Sequence, residues 1–434
     1  MKRLFWGGIH PSGHKELADP ARITTLPAPA QAVVPLSQHI GAPAQPLVAV
    51  GEQVTMGQKI GDGQGLCVPV HAPVSGRVTA IEARPCPGGV RTAVVIENDF
   101  QDTFASALTP YTTAAPEGEA LLTILREAGI VGMGGAAFPT GVKAAVPAGQ
   151  VDTLIVNACE CEPYITADDA LLRAWPQRVV DGVKLLRRAV GPQRAVIALE
   201  DNKPAAAKAL EPLLAGEEGI TLQLLPTRYP QGAEKQLIFA VTGRQVPPGK
   251  LPKDVGCAVF NAGTCAAVSR AVREGMPLLD RIVTVTGPAV AQPQNFLVRV
   301  GTPFAQVLAA AGGLREDAWK VIAGGPMMGV AQSDLAVPVV KATNAILCLS
   351  QRENGEISNP VCFRCGKCVE ACPMHLQPLY FHRYSATGNV AQLQRYHIFD
   401  CIECGCCAYV CPGKLPLVAS IRRGKQQVKE GSAQ

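Results

Sequence analysis

Half of the sixteen cysteines in this 434-residue chain fall in two runs of identical spacing. They are Cys362-x2-Cys365-x2-Cys368-x3-Cys372-Pro373 and Cys401-x2-Cys404-x2-Cys407-x3-Cys411-Pro412. Three closely spaced thiolates cap one iron–sulfur cube and the fourth reaches across to its neighbour, so the pattern is the ligand set of two [4Fe–4S] clusters. The expected assignment is crossed: Cys362, Cys365, Cys368 and Cys411 at one cluster, Cys401, Cys404, Cys407 and Cys372 at the other. Proline after the fourth cysteine stops the local helix and turns that sulfur away from its own triplet. CxxC pairs also hold zinc, which is the alternative; a four-cysteine run occurring twice with a trailing proline favours iron. Cys406 stands beside a ligand but outside the repeat and reads as a small buried residue. The chemistry implied is the passage of single electrons.

The 28 residues between the runs, 373–400, are too many for a minimal ferredoxin hairpin. Leu379 to Tyr384 and Val390 to Ile398 have helical patterning, with Gly388-Asn389 between them, so a helical two-cluster module is expected. A polar linker over 350–360 leads into it. Between 360 and 434 nine Lys or Arg face four acids, which accounts for the whole net charge of +5. Cluster thiolates bind deprotonated, so these basic residues are expected to offset cluster charge, and nucleic-acid binding is not indicated. Sixteen cysteines without a signal peptide point to a reducing compartment, and no apolar stretch is long enough to span a bilayer.

Upstream, the low charged and aromatic content, 17% and 5%, with many small and aliphatic residues, suits a compact multidomain α/β protein. Residues 40–100 read as short strands punctuated by glycine: Leu47 to Val50, Gly51 to Val54, Gly57 to Ile60 and Val70 to Val78. Their pattern resembles the barrel-sandwich fold of biotinyl and lipoyl carriers. Lys59 lies within the strand pattern instead of at a flanked hairpin tip, so only the fold is expected, without the carrier function. From 115 to 275 strands at Thr153–Val156, Ala195–Leu199 and Thr221–Leu225 alternate with helices at 119–128, 168–190, 202–214 and 233–241, as in a parallel sheet. Residues 280–345 return to strands, with one helix over Pro303–Ala311, giving a ferredoxin-like or β-grasp insert.

A second chemical segment is Gly132-Met133-Gly134-Gly135-Ala136-Ala137-Phe138-Pro139-Thr140-Gly141-Val142-Lys143. Small residues let the backbone approach a flat ring or a phosphate, and Lys143 can meet a phosphate as a point charge. By itself such a segment is more often a turn. Cys159 and Cys161 read as ordinary thiols, and the seven histidines are scattered without metal-type clustering.

The string G-x-G-G-A-x-F-P-T-G-x-K resembles the flavin-binding loop of the flavin subunit of respiratory complex I. Asn157 to Pro163, Tyr229 to Lys235 and Asn261 to Thr264 fall where that family has its Asn-Ala-Asp-Glu-x-Glu-Pro, Gly-Glu-Glu and Asn-Val-Glu-Thr segments. Together with Gly7-Gly8-Ile9-His10-Pro11 and the closing cysteine run, nearly the whole chain is similar to the C subunits of Rnf/Rsx ion-translocating electron-transport complexes. The resemblance implies four domains: an N-terminal barrel-sandwich hybrid (1–112), an α/β FMN- and NADH-binding domain (113–277), a β-grasp-like SLBB domain (278–348) and the helical two-cluster ferredoxin domain (349–424), then a polar tail (425–434). It further implies bound FMN, two [4Fe–4S] clusters, and NADH as hydride donor. Gly132, Gly134, Gly135 and Lys143 would line the FMN loop; Asn157, Glu160 and Glu234 would contact flavin or nucleotide; Asn261 and Thr264 would close the phosphate end. Phe138 would stack on nicotinamide or adenine, with a core role equally open, and Glu162 would bind the nicotinamide ribose or amide.

The function so implied is that of a peripheral NADH-oxidising subunit on the cytoplasmic side of the bacterial inner membrane. It would pass electrons to membrane-embedded and iron–sulfur subunits and, through them, to or from ferredoxin. No side-chain acid or base is required for hydride transfer to a flavin. Cys159, Met133 and Ala137 depart from the complex I pattern, which has Asp, Arg and Gly there. Two rivals remain open: a cobalamin-reductase-like relative, and an electron-carrying adaptor with no working flavin site. The tail beyond Leu417, with Arg422, Arg423 and Lys425, suits either a subunit or lipid.

Overall fold

The structure, a computed structural model, describes residues 4–431 apart from 115, 354 and 356. Its N-terminal part contributes β1 (Ile23–Thr25), β2 (Gln31–Pro35), β3 (Gln45–Pro46), β4 (Gln53–Val54), β5 (Lys59–Asp62), β6 (Val70–His71), β7 (Gly76–Cys86) and β8 (Gly89–Asn98). Two sheets, β2-β8-β7-β4 and β3-β5-β6, close on a core of Val34, Ile60, Val70, Val94 and Ile96. This is the expected sandwich. Lys59 is tied to Asp62 at 3.0 Å and to Glu127 at 2.5 Å, within strand β5 and not at a tip. The strand expected over Leu47–Val50 is instead a turn: Leu47 and Val50 are exposed, and the Glu52 carboxylate accepts from the Ala49 amide at 3.0 Å.

The central part runs α1 (Gly118–Glu127), α2 (Thr140–Ala144), β9 (Thr153–Ala158), α3 (Ala167–Ala174), α4 (Pro176–Val190), β10 (Arg194–Glu200), α5 (Pro204–Leu214), β11 (Ile220–Leu225), α6 (Glu234–Thr242), β12 (Cys257–Asn261) and α7 (Ala262–Glu274). All four strands are parallel in the order β11-β10-β9-β12. Helices cover both faces, as parallel sheets require. The helix expected over 168–190 is two helices, because Pro176 clashes with a continuing turn and pushes Trp175 out of helical conformation.

Next come β13 (Asp280–Thr286), β14 (Gln294–Arg299), α8 (Phe304–Ala310), β15 (Ala318–Ala323), β16 (Val330–Gln332) and β17 (Ala345–Ser350). They form a mixed sheet, β1-β14-β13-β17-β15-β16, packed on α8 through Phe304, Val307 and Leu308. Strand β1 joins this sheet in parallel with β14, so part of the N-terminal segment completes the β-grasp-like unit and not the sandwich.

The C-terminal part holds α9 (Lys367–Glu370), α10 (Pro378–Ala386), α11 (Val390–Arg395), α12 (Cys406–Tyr409) and α13 (Leu417–Gly431). The polar tail expected over 425–434 is corrected here as far as Gly431. Ile421 and Val428 of α13 are buried against Phe381, Leu393 and Ile398, so amphipathic spacing carries the helix on. Among the described residues no helix is long and apolar enough to cross a membrane.

Candidate functional site

In the parallel sheet the chain steps from β9 to β10 and β11, then returns to the other side of β9 with β12. Connections leaving in opposite directions open a crevice at the carboxyl ends of β9 and β12, where ligands bind open α/β sheets. Asn157 and Asn261 are register partners at that point. Asn261 caps α7, its Oδ1 accepting from the amides of Gly263 (2.8 Å) and Thr264 (3.4 Å), while its Nδ2 donates to Asp168 at 2.6 Å. Asn157 donates to the Gly232 carbonyl at 2.8 Å, just ahead of α6.

The glycine-rich loop lies over the same crevice. Its neck is closed by the Gly132 amide on the Phe138 carbonyl at 2.8 Å, and the Met133 amide donates to Thr264 Oγ1 at 3.0 Å. A Cβ on Gly134 would come 3.1 Å from the Asn261 side chain, whereas one on Gly135 would meet nothing within 4 Å. Gly134 to Ala136 are exposed, and Phe138 is half-buried beside them. Lys143 binds Glu234 at 2.7 Å and stands 5.8 Å from the Phe260 ring at the end of β12. Gly132, Gly134, Gly135, Lys143, Asn157, Glu234, Asn261 and Thr264 are thus gathered at one crevice. Open space, exposed backbone, a helix N-terminus and a lysine fit a flat ring carrying a phosphate.

Two expected contacts go elsewhere. The Glu160 carboxylate turns inward and accepts from the amides of Asp168 (2.6 Å) and Asp169 (3.3 Å), serving α3 instead of the loop. Burial pushes its carboxyl above the usual range. The Glu162 carboxylate accepts from Met327 (3.2 Å) and Met328 (2.9 Å), holding the Gly324–Met328 turn of the β-grasp-like unit. Burial raises it to about 7, against the pull of those two amides. Both carboxylates belong to a turn braced by two lysines that no motif singles out. Lys15 donates to the carbonyls of Glu160, Glu162 and Ile165, and the fully buried Lys203 to that of Cys159 at 2.6 Å. Cys159 itself is buried in the core around β9 and α6, and Met133 in the core with Val131 and Leu278. Both departures from the complex I pattern are thus buried, Met133 with its methyl end beside Gly263 at the start of α7.

The eight repeat cysteines line two spaces. Cys362, Cys365, Cys368 and Cys411 surround one, with Val361, Phe363 and Leu379; Cys372, Cys401, Cys404 and Cys407 surround the other, with Phe381 and Ile421. The grouping is the crossed one. It arises because the two runs fold alike: Arg364, Gly366 and His375 have left-handed backbone, as do Glu403, Gly405 and Lys414 at the same offset, and α9 corresponds to α12. The Val361 amide on the Gly413 carbonyl at 3.2 Å pins the start of one run to the end of the other. Among the described residues no three His, Cys, Asp or Glu side chains are gathered as a single ion would need.

The second set is docked on the parallel-sheet domain. Tyr229 OH donates to the Cys404 carbonyl at 2.7 Å, and Ile9, Tyr229, Ala371, Cys404 and Cys406 form one buried cluster edged by Cys161 and Met327. Cys362 and Cys365, by contrast, are exposed, beside exposed Val361 and Phe363. Arg422 and Lys425 bind Glu403 at 2.9 and 2.7 Å, and Arg423 donates to Ser385, so these cations are engaged within the module.

Comparison with known proteins agrees with this layout. Family models match in chain order: the RnfC barrel sandwich hybrid domain at 3–101, the Nuo51 FMN-binding domain at 125–270, the SLBB domain at 282–331 and a 4Fe-4S dicluster domain at 355–412. The C subunit of the Na(+)-translocating ferredoxin:NAD(+) oxidoreductase complex of Acetobacterium woodii is 44% identical over 98% of this chain and 97% of its own. The chain belongs to the RnfC family. Its relatives include the C subunit of a proton-translocating ferredoxin:NAD(+) oxidoreductase complex from Clostridium ljungdahlii, 43% identical over 87% of this chain and 83% of its own. Another is the C subunit of the ion-translocating oxidoreductase complex of Yersinia pseudotuberculosis, 42% identical over 98% of this chain and 62% of the longer relative. An NAD+-reducing [NiFe]-hydrogenase crystal structure matches with a TM-score of 0.51 at 22% identity, over 72% of this chain and 62% of that one, a likeness of fold. As an RnfC-family chain with flavin-binding and iron–sulfur domains, this is an electron-transfer subunit of an oxidoreductase complex.

Proposed function

We propose that this subunit oxidises NADH at an FMN held by the glycine-rich loop and delivers single electrons outward through two [4Fe–4S] clusters. The observation that carries the reading is the position of the Cys372, Cys401, Cys404 and Cys407 set directly against the flavin domain, through Tyr229 and Cys161, while the other set faces solvent. A flavin, when bound, exchanges electrons both as a hydride pair and singly, which a cluster cannot do. The chain's own residues then have distinct tasks. Gly134, Gly135 and the α7 end admit ring and phosphate; Lys143 and Glu234 bound the crevice; Phe138 offers a ring face at its edge. Cys362 and Cys365 stand where an acceptor in the membrane complex can approach. The two carboxylates with raised pKa are committed to backbone amides, so proton transfer by them is not part of the reading.

Anaerobically purified protein tests this. We expect about one FMN and about eight iron atoms per chain, with the flavin bleached by NADH far faster than by NADPH. Zinc in place of iron, or no flavin on material with full secondary structure, would sink the proposal. The adaptor alternative rested on Cys159 and Met133, whose side chains lie in cores. A further check is the order of reduction. Cys362→Ser should leave the inner cluster reducible by NADH, whereas Cys404→Ser should block reduction of both.

A further inference from the structure

Arg281, on β13 of the β-grasp-like unit, is a buried cation with too few partners. It is 5% exposed, and its Nη2 donates weakly to the Met133 carbonyl at 3.5 Å. Its Nε and Nη1 have no hydrogen-bond partner among the described residues. Among the described residues no carboxylate comes within ion-pair distance of it, since Asp280 is taken by Arg270 at 2.5 Å. A guanidinium cannot shed its charge as a buried lysine does, so two dry donors are a standing cost unless something anionic meets them.

The side chain lines a cavity of about 60 Å³ with Met133, Asp168, Gly263 and Arg270. Arg270 is already paired, its Nη1 with Asp280 at 2.5 Å and its Nε with Glu274 at 3.6 Å, so Arg281 is the cation left to answer an anion. Gly263 is the second residue of α7, a 13-residue helix whose N-terminal end carries partial positive charge. A water's share of liquid volume is about 30 Å³, so the space suits one tetrahedral oxyanion or two waters. Asp168 and Asp280, both in the lining, are the opposing features: Asp280 is paired with Arg270, and Asp168 lends Arg281 some negative charge without an ion-pair contact. The Asp168 carboxylate accepts from Asn261 Nδ2 at 2.6 Å, and burial pushes it above the usual carboxylate range, which eases an anion's approach. Met133 and Gly263 are shared between this cavity and the flavin crevice, so the two spaces adjoin.

We propose that the cavity is a phosphoryl-binding site, Arg281 supplying the charge, and that it receives the phosphate of the mononucleotide on the glycine-rich loop. A side chain of the β-grasp-like unit would then make the flavin domain choose a phosphorylated flavin over riboflavin. The assignment to flavin rests on the function proposed above; the anion site does not.

Full-length protein, reversibly freed of flavin, would be titrated with FMN and with riboflavin by fluorescence, as wild type, Arg281→Gln and Arg281→Lys. Loss of a charge-assisted, desolvated contact should cut the FMN-to-riboflavin affinity ratio about tenfold or more in Arg281→Gln, riboflavin affinity changing little, with partial recovery in Arg281→Lys. In parallel, inorganic phosphate should raise the unfolding midpoint of flavin-free wild type, and lose that effect once FMN is bound. Should Arg281→Gln not fold, the wild-type phosphate response and Arg281→Lys still decide. A phosphate effect persisting in FMN-loaded protein would assign the cavity to a free oxyanion and overturn the flavin assignment. An unchanged affinity ratio with no phosphate effect would overturn the site itself. If wild type binds neither flavin, the parent reading fails, and the Arg281-dependent phosphate response stands or falls by itself.

Discussion

Glu162 shows how one side chain joins three units. It leaves the turn after β9, holds the amides of Met327 and Met328, and Met327 in turn packs against Cys404 and Cys406. Burial raises its carboxyl to about 7 from an ordinary 4.5. Between those values the folded chain keeps the proton that the unfolded chain has lost, so stability falls as pH rises through that window. We expect Glu162→Gln to flatten that slope, removing a pH-dependent difference on the order of 2 kcal/mol, read from urea unfolding at pH 5 and pH 7.5. An unchanged slope would place the proton elsewhere. Asn261 behaves differently, because its cap is a local contact. Asn261→Ala should cost about 1 kcal/mol from the cap alone, with weaker flavin binding besides. The contrast explains what could be read in the sequence. Asn261, Thr264 and Lys143 sit where a contiguous string puts them, whereas the aim of Glu160 and Glu162 depends on α3 and on a turn more than 150 residues away. Arg281 and Lys15 were invisible for the same reason: their partners come from other domains.

Among the elements, α4 and α7 meet with their backbones close together. A Cβ on Gly182 would lie 1.8 Å from the Cys265 carbonyl oxygen, so glycine there sets how near α7, and with it the Asn261 cap, comes to the sheet. Gly182→Ala should destabilise by about 1–3 kcal/mol as overpacking does, and shift α7 enough to weaken flavin binding. A denaturation midpoint together with FMN titration checks both halves; loss of stability with unaltered flavin affinity would separate α7 from the site. Helical periodicity and β-branched runs marked α1, α5, α6 and β9 to β11 well. Strand β12 went unmarked because Cys257-Ala258-Val259-Phe260 is short and follows a proline- and glycine-rich stretch. The joining of β1 to β14 is a pairing across some 270 residues, which no local pattern announces.

At the scale of the molecule, the domains differ in what holds them. The parallel sheet and its helices share a large aliphatic core, including Leu154, Val183, Ile197 and Val268, all buried without any cofactor. The cysteine module has small clusters: Phe381, Leu393, Ile398, Ile421 and Val428 beneath α10, α11 and α13, and Leu415 and Leu417 beside Cys407. Around its two runs the inward groups are chiefly the eight thiols themselves, and burial raises several of these, Cys401 to about 11. Metal binding must therefore supply both deprotonation and much of the folding free energy there. Iron removal should then unfold the module selectively. Hydrogen exchange on chelated protein should show protection lost across 361–416, partly kept in α10 and α13, and unchanged in β9 to β12. The run Cys401–Cys411 should hold out longer than Cys362–Cys372, because Tyr229 and Ile9 clamp Cys404 and Cys406 from the flavin side. Equal loss in both runs would mean that this docking contributes little to the module, and full protection without iron would mean that the thiols, not the clusters, fill its centre.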